Sequence, residues 1–554
     1  MTKDDLEMIL KFIGGLGMFL YGMNVMADGL QKSAGSKLKK LMEFLTKNRF
    51  VAILAGAAIT GIIQSSSATT VMVVGFVNAG VMNLTQAVGV IMGANIGTTV
   101  TAWLVSMNEW GSMLKPEFFA PALVGVGAFL ILFSQKENKK KIGEILVGFG
   151  VLFIGLNFMS GSIAPYRDAP IFTNAFIVLG KNPFLAILVG AVVTGIIQSS
   201  SASVGILQTL ALNGIVSWQS AVFITLGQNI GTCVTALLSS TGAGKNAKRA
   251  SMIHLLFNVV GAAIFGVVMF LLFSFNQTWA QEKITSVQIS IFHTIFNVSC
   301  TIILFPFADL LVKMSGWIVG EEKVASVEEK PDLVAEVARR LDRRILESSS
   351  FALETAIKEV NYMGEITLMN TKVAVEAVQS ADVNLIGEVL EREAVINKLE
   401  KMLMTFLVEV DNLSLTEEQH VVIKNLLYTI SDLERISDHC ENIVQLAEIR
   451  RRDKVSFSKR GVTDLDEIAS ETIRSLEWAT KARKENSKEA SLRTDDYEMR
   501  VDLLEEEMRE RHIQRLTKGK CEPESGVIFL DILSNLERIS DHAKNIAGYV
   551  VTEQ

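Results

Sequence analysis

Residues 60–70 read Thr60-Gly-Ile-Ile-Gln64-Ser65-Ser66-Ser67-Ala-Thr-Thr70, a polar cluster in the middle of a long apolar run. The run occurs twice. Residues 194–203 read Thr194-Gly-Ile-Ile-Gln198-Ser199-Ser200-Ser201-Ala-Ser203, 134 positions later. The same offset, without a gap, carries Asn95-Ile-Gly-Thr98 onto Asn229-Ile-Gly-Thr232 and Gly93 onto Gly227. A weaker echo at offset 133 sets Gly15, Gly17, Gly22 and Asn24 on Gly148, Gly150, Gly155 and Asn157. The two polar islands are duplicated together. Paired interruptions of hydrophobic segments are a common way to build a midplane site in a membrane transporter.

Around these islands the chain has two compositional halves. Up to about Trp317 it is apolar, Gly-rich and poor in charge; from Glu321 it is charged throughout, with helical periodicity. The net charge of −7 belongs mainly to the second half and argues against nonspecific nucleic-acid binding. The four cysteines, Cys233, Cys300, Cys440 and Cys521, form no Cys-x-x-Cys pair, so neither a disulfide framework nor a zinc knuckle is expected. The N-terminus lacks the basic region and cleavage site of a secretory signal, which makes the first apolar stretch a retained membrane helix.

A hydrocarbon core about 30 Å thick takes about 20 apolar residues per helix. Seven crossings are expected on that scale, at about 6–30, 84–106, 118–135, 142–164, 218–240, 251–274 and 288–315. The segments 50–79 and 183–214 differ, each holding Gln-Ser-Ser-Ser at its centre with halves too short to span. They read as re-entrant helical hairpins with the serines at the tip. The loops 31–49, 136–141 and 241–250 carry thirteen basic residues, among them Lys47 and Lys139. The opposite loops carry only Lys115, Arg167, Lys181 and Lys283, plus Lys3 at the terminus. If hairpins do not cross, the basic loops share one side, and the positive-inside rule makes it cytoplasmic. The N-terminus is then outside and the charged half cytoplasmic. Three crossings separate the hairpins, so the units 6–135 and 142–274 are inverted repeats, with 288–315 an extra helix and 1–320 the membrane domain.

Serine is a good N-cap, and a helix N-terminus offers unpaired N–H groups with positive partial charge. Two such tips, with breaks at both Asn-Ile-Gly-Thr segments, can bind an oxyanion without lysine or arginine. The candidate substrate ligands are Gln64, Ser65, Ser66, Asn95 and Thr98, with Gln198, Ser199, Ser200, Asn229 and Thr232. Oxygens of Gln64, Ser67, Thr99, Gln198, Ser201 and Thr235 are candidates for a hard cation such as Na+. The competing reading makes these side chains interhelical glue, bonded back to the backbone. Duplication of both motifs without a gap weighs against it.

The segments 56–104 and 190–238 resemble the two signature regions of the type II sodium-phosphate cotransporters. The resemblance falls on Gln64, Ser65, Ser66, Ser67, Asn95 and Thr98, and on Gln198, Ser199, Ser200, Ser201, Asn229 and Thr232. It implies sodium-coupled import of inorganic phosphate across the plasma membrane, with Na+ as coupling ion. The chain departs from the electrogenic members of that family in having no carboxylate between Leu210 and Ser240.

Residues 321–331 form a charged linker ending at Pro331, which suits a first helical turn. Helical periodicity follows at about 332–379, 382–410, 416–449, 461–486, 495–517 and 524–551. Asp432-Leu-Glu-Arg-Ile-Ser-Asp-His439 recurs 103 positions later as Asn535-Leu-Glu-Arg-Ile-Ser-Asp-His542, so two three-helix units are expected. In each copy two carboxylates lie four apart on one face, Glu434 with Asp438 and Glu537 with Asp541. His439, Asn442, His542 and Asn545 lie one residue round or one turn on. Divalent cations accept such ligands; the alternative is a solvated face paired with Arg435 and Arg538. Residues 335–550 resemble the PhoU family, whose members regulate phosphate uptake, which implies a regulatory domain over 332–554.

The expected fold is all-α: a polytopic membrane protein of two inverted repeats, each with a re-entrant hairpin, followed by a cytoplasmic PhoU-like pair of three-helix units. The expected partners are phosphate, sodium, the lipid bilayer and a second copy in a homodimer, without nucleic acid. No phosphate-gripping loop, activated nucleophile or zinc motif marks an enzyme. A rival expectation is a membrane phosphate sensor that binds without net transport.

Overall fold

The computed structural model describes residues 3–45, 48–110, 116–167, 169–321, 332–519 and 521–553. The expected linker, from 322 to 331, lies outside the described residues, as do Lys47 and Lys115 of the loop-charge comparison. Among the described residues the chain is helical apart from turns, irregular connections and one isolated bridge, Ser217 with Lys283. It divides into two compact units. The residues before the linker group with Asp342–Phe351, and the segment ending at Leu341 groups with Ala352–Gln554.

The first unit opens with α1 (Lys3–Leu45), α2 (Arg49–Ile63), α3 (Ser66–Asn78), α4 (Leu84–Ser106), α5 (Pro116–Phe133) and α6 (Glu137–Ile163). Then come α7 (Pro170–Lys181), α8 (Pro183–Ile197), α9 (Ser200–Leu212), α10 (Trp218–Gly231) and α11 (Cys233–Ser239). It closes with α12 (Lys245–Phe275), α13 (Gln277–Gln281), α14 (Ser286–Leu304) and α15 (Ala308–Val319). Among the described residues six spans are long and apolar enough to cross a membrane: Lys3–Ala34, Leu84–Glu109, Glu137–Tyr166, Trp218–Ser239, Lys245–Phe275 and Ser286–Val319. The remaining expected crossing, 118–135, is the shorter helix α5.

The duplicated motifs carry duplicated caps. Asn48 and Asn182 start α2 and α8, each accepting a backbone N–H three residues on; Asn83 and Ser217 do the same for α4 and α10. Both hairpin entries end at a glutamine in left-handed conformation, Gln64 at φ 57° and Gln198 at φ 56°. Small residues let the helices touch. A Cβ on Gly93 would lie 2.0 Å from Ile53 O and one on Gly97 2.6 Å from Ala57 O, so α2 and α4 run parallel. Gly227 and Gly231 meet Ile187 O and Ala191 O in the same register, and α8 and α10 are parallel too. In contrast α1 and α6 are antiparallel. Gly15 meets Met159 and Gly155, Gly22 meets Leu152 and Gly148, and Gly29 meets Ile145. Phe19, Met23, Phe153 and Leu156 fill the core between them.

Four expectations need correction here. The segment 31–49 is helical to Leu45, and α6 begins at Glu137, so basic runs expected in loops continue membrane helices. An additional helix, α7, precedes the second hairpin and meets α8 at 114°. α4 passes through Asn95-Ile-Gly-Thr98 without interruption, whereas its counterpart is divided at Thr232 into α10 and α11. The first helix expected after the linker, 332–379, is divided as well, because residues 342–351 pack within the first unit. Asn78 Nδ2 donates to Asp342 Oδ2 at 2.7 Å and Arg344 Nε to Ser239 O at 2.6 Å. Phe351 stands edge-on to Phe76 at 5.9 Å.

The second unit contains α16 (Leu333–Arg340), most of α17 (Ser349–Ser380), α18 (Val383–Asp411), α19 (Glu417–Arg452), α20 (Lys459–Glu485), α21 (Lys488–Thr517) and α22 (Pro523–Thr552). Its internal duplication is visible in its buried bonds. Asn370 on α17 donates to Ser437 on α19, and Ser540 on α22 to Ser475 on α20. The two repeated-motif helices, α19 and α22, pack on each other.

Candidate functional site

The first hairpin leaves α2 at Gln64 and enters α3 at Ser66, with Ser65 as N-cap. Ser65 Oγ accepts from Ala68 N at 3.1 Å, and Ser199 Oγ accepts from Ala202 N at 3.2 Å in the second hairpin. Each cap takes one first-turn N–H and leaves two, those of Ser66 and Ser67 or Ser200 and Ser201, with no partner inside the helix. The two tips meet: Ser66 Oγ and Ser200 Oγ lie 3.4 Å apart and both residues are buried. Residues 134 positions apart in sequence thus share one polar centre with two helix N-termini.

The Asn-Ile-Gly-Thr segments offer the opposite chemistry. Asn95 Nδ2 donates to Ile91 O at 2.8 Å, Thr98 Oγ1 to Ala94 O at 2.9 Å and Thr99 Oγ1 to Ile96 O at 2.7 Å. Asn229 Nδ2 donates to Thr225 O at 2.9 Å and Thr232 Oγ1 to Asn229 O at 2.6 Å. With the threonine hydrogens and one amide hydrogen of each asparagine tied to their own helices, the hydroxyl and amide oxygens are available, and oxygen suits a hard cation. His293, unremarked in sequence, places Nε2 3.4 Å from Asn229 Oδ1.

The candidates do not all share one environment. Gln64, Ser66, Ser67, Asn95, Thr98, Thr99, Ser200, Ser201, Asn229 and Thr232 are buried; Ser65, Ser199 and Thr235 are half-buried. Gln198 is exposed, although its counterpart Gln64 is 5% exposed. Thr101 was missed. Its Oγ1 donates to Gln64 Oε1 at 3.0 Å, while Gln64 Nε2 bonds Gly61 O. The signal was available, since Thr101 stands 134 positions before Thr235.

In the second unit the repeated motif splits its roles. His542 Nδ1 lies 2.7 Å from Asp432 Oδ1, and His439 Nδ1 lies 2.9 Å from Asn535 Oδ1, the same pairing seen from each repeat. Tyr549 OH donates to Asp432 Oδ2 at 2.9 Å. The histidines therefore bind the two repeats together. Among the described residues the acidic grouping able to hold a metal is Glu498, Asp502 and Asp541, with ligand oxygens within 4.8 Å of one another. Glu537 is not in it. Glu498-x-x-x-Asp502 has the spacing expected for Glu537 and Asp541, one helix earlier, and was overlooked. The donor set fits a divalent cation, since Glu498 Oε2 is buried without a partner. Burial raises the carboxyl pKa of Asp541, with Glu498 adding to it, and raises Asp502, with Glu498 and Asp541 adding. In the other repeat burial likewise raises Glu434, with Asp438, Glu400 and Glu393 adding and Arg435 opposing.

Comparison with known proteins agrees with both halves. The Na+/Pi-cotransporter family matches residues 18–161 and 171–297, and the PhoU domain matches 360–447 and 465–550. The chain is 30% identical over 306 residues to "Uncharacterized protein YqeW" of Bacillus subtilis (strain 168), covering 55% of this chain and 96% of that one. It is 23% identical over 550 residues to "Putative inorganic phosphate export protein YjbB" of Escherichia coli (strain K12), covering 99% and 98%. It is 25% identical over 185 residues to sodium-dependent phosphate transport protein 2A of Rattus norvegicus, covering 32% of this chain and 29% of that one. The chain is a multi-pass membrane protein of the Na+/Pi-cotransporter family that carries a PhoU domain behind its membrane half.

Proposed function

We propose that the chain imports inorganic phosphate across the plasma membrane, coupled to sodium, by alternating access between two inverted repeats. The observation that carries the proposal is the meeting of the two tips at Ser66 and Ser200. Two helix N-termini favour an oxyanion there, and the oxygen-bearing Asn-Ile-Gly-Thr segments favour sodium, which offsets the phosphate charge. Re-entrance is supported by the parallel packing of α2 on α4. A helix that enters halfway and returns leaves the next crossing to start from the same side. The antiparallel pair α1 and α6, each the first helix of its repeat, supports inversion.

In this reading the N-terminus is outside and the PhoU domain is cytoplasmic, where it regulates transport and binds a divalent cation. A second direction has a specific observation in its favour: relatives aligned over nearly their whole length are named for phosphate export. Proteoliposomes separate the readings. Import predicts accumulation of labelled phosphate under an inward sodium gradient, abolished when potassium replaces sodium. Export predicts sodium-independent release from preloaded vesicles. A sensor predicts binding without flux in either direction.

A further inference from the structure

The two repeats match closely in backbone at their tips, and among their side-chain bonds one difference falls on the tip glutamines. Gln64 and Gln198 have φ/ψ of 57°/22° and 56°/24°; Ser65 and Ser199 have −143°/109° and −138°/108°. Within each hairpin the same bridge holds the arms together. Thr60 Oγ1 donates to Thr69 Oγ1 at 3.0 Å, and Thr194 Oγ1 to Ser203 Oγ at 2.7 Å. The framework is in register too: a Cβ on Gly61 would meet Val100 Cγ2, and one on Gly195 would meet Val234 Cγ2. Against that match, Thr101 holds the buried Gln64, whereas Thr235 Oγ1 is buried with no partner and Gln198 is exposed. A buried hydroxyl left unbonded is unfavourable, and the bond that its twin makes is absent here.

We infer that Thr101 and Thr235 are positioning residues that hold the two tip glutamines by turns. The inference rests on the alternating-access reading above. In this structure the first latch is made and the second is open. In the opposite state Gln198 bonds Thr235 and Gln64 leaves Thr101. Exchanging one bond for its equivalent keeps the two end states close in energy. A carrier needs this, since a deep well on either side traps it.

Paired cysteines test the second latch directly. The background is Cys521→Ser, in which Cys233, Cys300 and Cys440 are buried. In reconstituted full-length protein, a short bifunctional methanethiosulfonate should bridge Gln64→Cys with Thr101→Cys, and Gln198→Cys with Thr235→Cys as well. Failure of the 198–235 pair under conditions that link 64–101 overturns the inference. Single reporters test the exchange. Without phosphate or a sodium gradient, Ile197→Cys should react with an impermeant maleimide and Ile63→Cys should resist it. Adding Thr101→Val should raise labelling at 63 about fivefold and lower it at 197, the population shift of one net hydrogen bond. Thr101→Ser should restore both rates. Equal changes at both reporters, or none, overturn the inference, because a structural hydroxyl would not act on opposite sides with opposite sign. Phosphate flux is not read in these arms. A latch that switches in a protein without sodium-driven uptake would refute the coupling reading alone.

Discussion

Ser66 and Ser200 are equivalent by sequence and adjacent in space, so each can be probed against the other. Losing a hydrogen bond to a charged group costs about 1.5–3 kcal/mol. Ser66→Ala and Ser200→Ala should each weaken phosphate binding by roughly 10- to 150-fold in equilibrium binding measurements. If the hydroxyls only hold helices together, both variants melt earlier in detergent and keep their affinity. The acidic cluster of the PhoU domain gives a second expectation at this scale. Asp502 and Asp541 have raised pKa values, so the folded domain holds protons that the unfolded chain releases. Their contribution to stability is fully present below the unfolded pKa and lost as pH rises through the folded one. Above that range mutual repulsion remains, and a bound cation removes it. Manganese should therefore raise the melting temperature more at pH 7.5 than at pH 5. Asp502→Asn with Asp541→Asn should raise the melting temperature without metal and abolish the manganese effect.

Among the helices, contact depends on glycines that no larger residue can replace. Gly93→Ala and Gly227→Ala would drive a methyl group against the carbonyls of Ile53 and Ile187, each 2.0 Å from the Cβ position. Backbone cannot yield as a side chain does, and overpacking of this kind costs about 1–3 kcal/mol or more. Both variants should lose monodisperse protein on size exclusion, while Gly17→Ala, with nothing within 4 Å, should not. The breaks at Gln64 and Gln198, which divide each apolar segment into two short helices, were legible because a polar cluster in an apolar run has few explanations and an ungapped repeat has fewer. Helix α7 was not, since its apolar residues merge with those of α8 and only the bend at Asn182 separates them. Nor was the unequal treatment of the Asn-Ile-Gly-Thr copies, identical in residues but uninterrupted in α4 and divided at Thr232. The exposure of Gln198 was not legible either, since Gln198 and the buried Gln64 stand in the same local sequence, Thr-Gly-Ile-Ile-Gln-Ser-Ser-Ser. The acidic cluster was half legible: Asp541 stood in a repeated motif, whereas Glu498 and Asp502 belong to a helix whose sequence does not repeat.

For the molecule as a whole, topology is the quantity to check. Cysteines at Lys139 and Lys181 should react with an impermeant reagent from opposite sides; labelling from one side would end the inverted-repeat proposal. A truncation after Phe351 should melt higher in detergent than one after Glu321, because only the longer form keeps Asp342 on Asn78 and Arg344 on Ser239. That segment also bears on biosynthesis. α3 leaves the ribosome early, yet Asn78 and Phe76 at its end wait for Asp342 and Phe351, more than 260 residues later. Every membrane helix has been made by then. The end of α3 is consequently among the last parts of the membrane half to complete its contacts, together with Ser239 and Gln31, and a nascent chain stalled in the linker would carry those positions without their partners.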